Sequence, residues 1–376
     1  MKRFDEPILV TRPYLPPLED FKKGLEEIWS NQWLTNNGPM VQRFQKELSK
    51  YLGVPETNLA LFNNGTLALE LGYYAMGLAG GDVITTPFTF VATSHALKRI
   101  GANPIFADID PETMCLSPEA AEKLITPRTK AIVPVHVYGN VCDVEGFERL
   151  REKYGVKIIY DAAHAFGIFR EDVSEGEQGR RVSIGACGDM SMFSFHPTKL
   201  FHSCEGGLLV FKDAAVQETL FELRNFAIHS ETECVDVGSN AKMNELQAVM
   251  GLECLKKIDE LLDYRQKIFA TYAEAFADCQ EVKLAPNSQN KAYVPVLFKD
   301  FATREFAYTE LKEKCNVFTR RYFYPLLTDF APYVYGKNSC PVAQDIASRV
   351  LTLPTYYGLP LDEVRVIAEN VKEILY

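Results

Sequence analysis

Three short stretches hold residue types that could do chemistry together. The first is Asn63-Asn64-Gly65-Thr66-Leu67-Ala68-Leu69, which follows the strand-like Leu59-Ala60-Leu61-Phe62 and opens an apolar helix. Such a strand–turn–helix junction offers free backbone N–H groups and a hydroxyl to an anion such as phosphate. A plain helix cap is the simpler reading of the same residues, because Asn and Thr are favoured there. The second is Asp161-Ala162-Ala163-His164-Ala165-Phe166-Gly167. Asp161 closes the apolar run Val156-Lys157-Ile158-Ile159-Tyr160, so its carboxylate falls at the C-terminal edge of a sheet, where open α/β sheets bind ligands. A carboxylate there can keep a pyridinium nitrogen protonated, although an Asp in this position can also simply cap a helix. The third is Gly188-Asp189-Met190-Ser191-Met192-Phe193-Ser194-Phe195-His196-Pro197-Thr198-Lys199, followed by Glu205-Gly206-Gly207. A lone Lys is usually a solvated surface residue. An amine behind an apolar strand loses solvation, which favours its neutral, nucleophilic form and suits it to imine chemistry with a carbonyl. Ser194 could bring a hydroxyl to the anion held by Thr66.

These stretches need a scaffold, and the chain supplies the signals of one. Strands are expected at Asp82–Thr86, Ile105–Ile109, Ala131–Val137 and Val156–Tyr160, with Met190–Phe195 and Gly207–Phe211 as an antiparallel pair. Helical patterns such as Ser117–Ile125 and Glu145–Tyr154 lie between the earlier ones, which argues an α/β domain with a mainly parallel sheet. After about Asn240 the character changes. Long helices are expected over Glu245–Leu262 and Tyr264–Cys279, and the segments Ala292–Phe298, Phe306–Lys314 and Asp362–Leu375 suggest a small α+β domain. Arg170–Arg181 reads as an exposed loop or hairpin insertion. There is no internal repeat and no low-complexity tract.

Composition narrows the function. The 376 residues fit one large domain plus a smaller one, and 47% hydrophobic content supports a sizeable core. Fifty acidic against 40 basic residues give a net charge of -10, with no Lys/Arg run to suit nucleic acid or an anionic membrane. Nine cysteines at irregular spacing, none in C-x-x-C, argue against a disulfide framework or a zinc site. The N-terminal residues carry no apolar signal region, and no run approaches the roughly 18 apolar residues of a membrane helix. A soluble, cytoplasmic protein is expected. No G-x-G-x-x-G follows an early strand, which disfavours a Rossmann dehydrogenase.

None of the three stretches is decisive alone, but their order is informative. The phosphate turn comes first, and Asp161 precedes Lys199 by 38 residues. That order resembles fold-type I pyridoxal-phosphate enzymes. Over nearly its whole length the chain resembles the DegT/DnrJ/EryC1/StrS family of sugar aminotransferases. The matching elements are Trp33-Leu34-Thr35 followed by Gly38, Pro87-Phe88-Thr89-Phe90-Val91-Ala92-Thr93, Pro134-Val135-His136-Val137-Tyr138-Gly139, Gly238-Ser239-Asn240-Ala241-Lys242-Met243 and Tyr322-Phe323-Tyr324-Pro325-Leu326.

The resemblance implies a large domain over 1–245, with a mainly parallel seven-stranded sheet, and a small C-terminal domain over 246–376. It implies pyridoxal 5'-phosphate as cofactor, held as a Schiff base on Lys199, with Asp161 on the pyridine nitrogen and His164 beside the phenolic oxygen. Phe90, otherwise an ordinary core aromatic, would stack on the ring. Gly65, Thr66 and Ser194 would hold the phosphate, joined by Asn240 from the neighbouring subunit of a homodimer. Leu34, Thr35, Tyr322 and Tyr324 would lie on the substrate side. The expected reaction moves an amino group from L-glutamate to dTDP-4-keto-6-deoxy-D-glucose, giving dTDP-4-amino-4,6-dideoxyglucose, as in deoxyamino-sugar biosynthesis for O-antigen or lipopolysaccharide. A 3-keto sugar is the near alternative. A dehydratase and a non-catalytic regulator are further ones, although the dehydratase branch has His where Lys199 stands here. Three positions depart from the family pattern: Cys204 replaces a usual Gly, Tyr160 a usual Glu and Leu327 a usual His. The first two are expected to affect packing, the third the substrate side.

Overall fold

Strands that are buried on both faces read as continuous apolar runs, and the central sheet of this chain is built from such runs. The computed structural model describes residues 1–172, 180–285, 288–336 and 339–375. The strands, in chain order, are β1 (Leu59–Phe62), β2 (Asp82–Thr85), β3 (Asn103–Phe106), β4 (Thr129–Val133), β5 (Lys157–Asp161), β6 (Phe169–Asp172), β7 (Arg180–Ser183), β8 (Met190–Ser194), β9 (Gly207–Phe211), β10 (Ile228–Ser230), β11 (Glu233–Cys234), β12 (Val282–Leu284), β13 (Val294–Phe298) and β14 (Val350–Leu353). Seven of them form one sheet in the order β1-β9-β8-β5-β4-β2-β3. β9 runs antiparallel to both of its neighbours and the other pairings are parallel, which agrees with the mainly parallel sheet expected.

The helices are α1 (Leu18–Asn31), α2 (Pro39–Leu52), α3 (Gly65–Ala75), α4 (Ala92–Arg99), α5 (Pro118–Glu122), α6 (Val144–Tyr154), α7 (Val216–Leu223), α8 (Glu245–Leu255), α9 (Ile258–Ala275), α10 (Phe301–Glu313), α11 (Pro341–Arg349) and α12 (Leu361–Leu375). They cover both faces of the large sheet. Alternate strand residues such as Val83, Val133, Ile159 and Met192 pack with Leu69 of α3, Leu97 of α4 and Leu220 of α7. Their neighbours Ile84, Ile132, Ile158 and Phe193 face the other way, against Phe44 of α2, Phe147 of α6 and Val249 of α8. The period of two along each strand thus feeds two separate cores.

A third core lies between the three-stranded sheet β12-β13-β14 and helices α9, α10 and α12. Phe4 and Ile8 from the N-terminus belong to this C-terminal core, while α8 packs on α1 and α2. The segments expected as 1–245 and 246–376 therefore exchange pieces. The single helix expected over Glu245–Leu262 is two: α8 ends at Leu255 and α9 starts at Ile258. α8 turns Ala248 and Val249 toward the large core, while α9 turns Ile268 and Tyr272 toward the C-terminal one. One straight helix cannot serve both, and no Gly or Pro marks the break. The insertion expected at Arg170–Arg181 is flanked by the antiparallel pair β6–β7; residues 173–179 lie outside the described residues.

Two of the departures from the family pattern have clear structural settings. Cys204 takes φ 65°, a left-handed conformation that costs an L-residue about 1–2 kcal/mol and Gly almost nothing. Tyr160 is buried, stacked on His136 with ring centroids 4.8 Å apart. Among the described residues no helix is long and apolar enough to cross a membrane.

His136 carries a measurable consequence. Burial pushes its imidazole from the ordinary 6.5 down to about 3, and its Nδ1 accepts the Cys142 N–H at 3.1 Å. The unfolded chain takes up this proton below about pH 6.5 and the folded chain refuses it. The stability is therefore complete above that pH and is lost toward about pH 3, at ~1.4 kcal/mol per pH unit from this residue. Denaturant titrations at pH 7 and pH 5 should show a shallower pH dependence for His136→Gln than for the unaltered protein; equal slopes would refute this assignment.

Candidate active site

The C-terminal ends of the parallel strands converge on one cavity of about 450 Å³. The loop after β2 brings Thr89 and Phe90, the loop after β4 brings Val135, and β5 delivers Asp161 and His164. β8 and the turn after it bring Ser194, His196, Thr198 and Lys199, and the N-terminus of α3 brings Gly65 and Thr66. The position follows from the topology: loops at this edge diverge and leave a crevice between them.

Asp161 is 4% exposed. Its Oδ2 accepts from the Thr93 hydroxyl at 2.7 Å and its Oδ1 from the Ala163 N–H at 3.1 Å. Burial raises its pKa above the ordinary carboxylate value, while these two donors and the nearby Lys199 charge pull the other way. A buried carboxylate hydrogen-bonded only to neutral donors is costly, and a protonated ring nitrogen in the cavity would offset that cost. His164 is also buried, and burial drives its imidazole well below the usual range, so the ring is neutral. The Tyr138 N–H donates to its Nδ1 at 3.1 Å, which places the remaining ring proton on Nε2 as a donor for a ligand oxygen.

The anion cup forms at the start of α3. Asn64 caps the helix by accepting the Leu67 N–H at 2.9 Å. Gly65 and Thr66, as the first helical residues, have no intrahelical acceptor for their own amides. Gly65 sits where space is tight: a Cβ would meet Met192 Sδ and Ser194 Cβ at 3.1 Å and Ser194 Oγ at 3.3 Å, so these side chains would have to give way slightly. Two amides and two hydroxyls at a helix N-terminus suit a phosphate. Lys199 is half-buried, with Nζ 3.4 Å from Tyr293 Oη. Phe90 lines the cavity and is 51% exposed. A carboxylate for a ring nitrogen, a neutral imidazole N–H, an anion cup and a lysine on one cavity together fit pyridoxal phosphate.

Other expected residues lie elsewhere in the chain. Tyr322 lines the cavity, but the Tyr324 ring packs against Phe301 and under Arg304. Leu34 and Thr35 are exposed outside the cavity wall, with the Leu34 carbonyl accepting the Glu245 N–H at 3.0 Å. Asn240 is exposed and its Oδ1 accepts from Lys242 at 2.8 Å, away from the cavity of its own chain. Leu327 is buried, its N–H donating to the Pro87 carbonyl at 3.2 Å, so in this chain the position that departs from the family pattern is a packing one.

Around the site stand groups that sequence reasoning missed, two of them bonded to Asp161 and Lys199. Thr93 sat inside a recognised stretch without a role. Arg320 stands two residues before Tyr322 on the cavity wall, and a cation beside that motif in an acidic chain was an available signal. Tyr293 lies 94 residues from Lys199, and nothing in spacing points to it.

Comparison with known proteins identifies the family. The profile of the DegT/DnrJ/EryC1/StrS aminotransferase family matches residues 18–372. The chain is 42% identical over 378 residues to a dTDP-4-amino-4,6-dideoxy-D-glucose transaminase of Shigella dysenteriae, covering 98% of this chain and 100% of that protein. A transaminase of the same name from Escherichia coli is 37% identical over 94% of this chain and 95% of its own. Among solved structures, DesI in the presence of its TDP-sugar product superposes with a TM-score of 0.90 at 35% identity, covering 99% of this chain and 94% of that one.

The Thr93–Asp161 bond gives a direct test of the site. Thr93→Val keeps the shape and removes one donor from a buried carboxylate, a loss of about 1.5–3 kcal/mol for a hydrogen bond to a charged group. Titration of the apoprotein with pyridoxal phosphate should show affinity at least about 10-fold weaker; unchanged affinity would separate Thr93 from the function of Asp161.

Proposed function

This chain belongs to the DegT/DnrJ/EryC1/StrS family of pyridoxal-phosphate-dependent sugar aminotransferases, and from that premise we propose that it aminates C4 of a dTDP-linked 4-keto-6-deoxyhexose. The product is dTDP-4-amino-4,6-dideoxyglucose and L-glutamate is the donor. The observation that carries this reading is 42% identity along the full length of a transaminase so named. The protein works as a cytoplasmic homodimer.

Bound pyridoxal phosphate supplies an electron-withdrawing ring and an aldehyde carbon that ferries the amino group between substrates. The chain's own groups do the rest. Lys199 would hold the cofactor covalently and, when its amine is free, would move the proton at the donor's Cα as base and acid. Asp161 would hold the ring nitrogen in its protonated form. His164 Nε2–H would donate to the phenolic oxygen, and Phe90 would cover one ring face. The Gly65 and Thr66 amides and the Ser194 hydroxyl would hold the phosphate, together with Asn240 of a second copy. The same groups would serve the opposite half-reaction, in which the keto sugar takes the donor's place.

Regiochemistry is checked by product analysis. With glutamate and the 4-keto dTDP-sugar, NMR should show nitrogen at C4 and one 2-oxoglutarate per amino sugar. Amination only of the 3-keto isomer would overturn the substrate assignment, and deoxygenation without 2-oxoglutarate would overturn the reaction itself. The shared site has a separate test. Lys199→Ala and Asn240→Ala proteins should each be weakly active or inactive, while subunit exchange between them should recover activity. A hybrid dimer collects both changes in one site and leaves the other intact. No gain on mixing would place Asn240 outside the partner's site.

A further inference from the structure

The Tyr293 hydroxyl touches the Lys199 amine; the residue stands just before β13 of the three-stranded sheet, and its ring packs against the core of the large sheet. Its placement is heavily determined. Asn290, 1% exposed, donates from Nδ2 to the carbonyls of His164 at 2.8 Å and Phe166 at 2.9 Å. Its Oδ1 accepts the Ala292 N–H at 3.1 Å. Arg265 of α9, also buried, donates to the Ala292 carbonyl at 2.7 Å. The segment 290–293 is thus clipped on one side to the loop that carries His164 and on the other to α9. Buried polar bonds of this kind fix one geometry, because breaking any of them leaves an unpaired group away from water.

The clip sets the Tyr293 ring against the working groups. Its centroid lies 4.5 Å from that of His164 and 5.8 Å from that of Tyr322. Burial raises the phenol above the ordinary tyrosine pKa, opposed by the charges of Arg265 and Arg320, so it stays protonated. A neutral phenol oxygen is an acceptor for an amine N–H. At 3.4 Å the contact is long, a hold that can be released.

We propose that Tyr293 is a positioning residue for Lys199, receiving the amine when it is not bonded to the cofactor and turning its lone pair back toward the cavity. Lys199 has four side-chain torsions, and a free amine would spread over many rotamers at the moment it must act as a base. A phenol that accepts one N–H restricts that search. Asn290 acts one step further back, by holding the segment that carries the phenol. This inference rests on the aminotransferase reading for its kinetic arm only.

The test uses Tyr293→Phe, which removes a single oxygen. In the first arm, the cofactor-free protein is treated with a small amine-acylating reagent and labelling at Lys199 is followed by peptide mass. The Tyr293→Phe protein should label several-fold more slowly, because its amine lone pair is no longer held toward the cavity; an unchanged or faster rate would overturn the proposal. In the second arm, the holoenzyme is mixed rapidly with glutamate or α-deuterated glutamate. The half-reaction should slow about 10-fold or more with the glutamate KM little changed, and the deuterium effect should grow as proton transfer becomes more limiting. A slower reaction with an unchanged deuterium effect and a lowered melting temperature would mean a structural role only, against the proposal. Asn290→Ala should move both readouts in the same direction by a smaller factor, and opposite movement would also count against it. Failure of the unaltered protein to react with glutamate would sink the aminotransferase reading, while the labelling arm would still judge Tyr293.

Discussion

A carboxylate out of water must be answered by something, and the organisation of this protein follows from answering Asp161. It ends an apolar strand at 4% exposure, hydrogen-bonded to two neutral donors. Its burial depends on β5 lying between β4 and β8, and on helices covering both sheet faces. The same edge gathers the Lys199 turn from β8, the Phe90 loop from β2 and the N-terminus of α3. A ligand that brings a protonated ring nitrogen and a phosphate satisfies the carboxylate and the helix terminus together.

Much of this was legible in the chain. The strands were visible because two-sided burial demands unbroken apolar runs, as in Leu208-Leu209-Val210-Phe211. The site residues at strand ends were legible for a topological reason: once Asp161 and Ser194 close parallel strands, their side chains must meet at one edge. Gly65 announced itself through its place at a strand–helix turn, and the structure adds the reason, which is the nearness of Ser194 and Met192.

What escaped the sequence was set by long-range packing. The break between α8 and α9 arises because two cores face different ways, and no helix-breaking residue records it. Tyr293 reaches Lys199 only because Asn290 and Arg265 clip its segment across the domains. Leu327 occupies a position where the family commonly has His, yet its side chain goes into the core. Leu34, Thr35 and Asn240 stand clear of their own chain's cavity, on a surface with exposed Trp33, Leu34 and Leu246.

The central claim is that Lys199, facing Asp161 across one cavity, carries the cofactor. The most direct measurement is to load the protein with pyridoxal phosphate, reduce it with borohydride, digest it and locate the phosphopyridoxyl group by mass spectrometry. The account predicts one modified peptide per chain, with the group on Lys199. Modification spread over surface lysines, or confined to another residue, would contradict it.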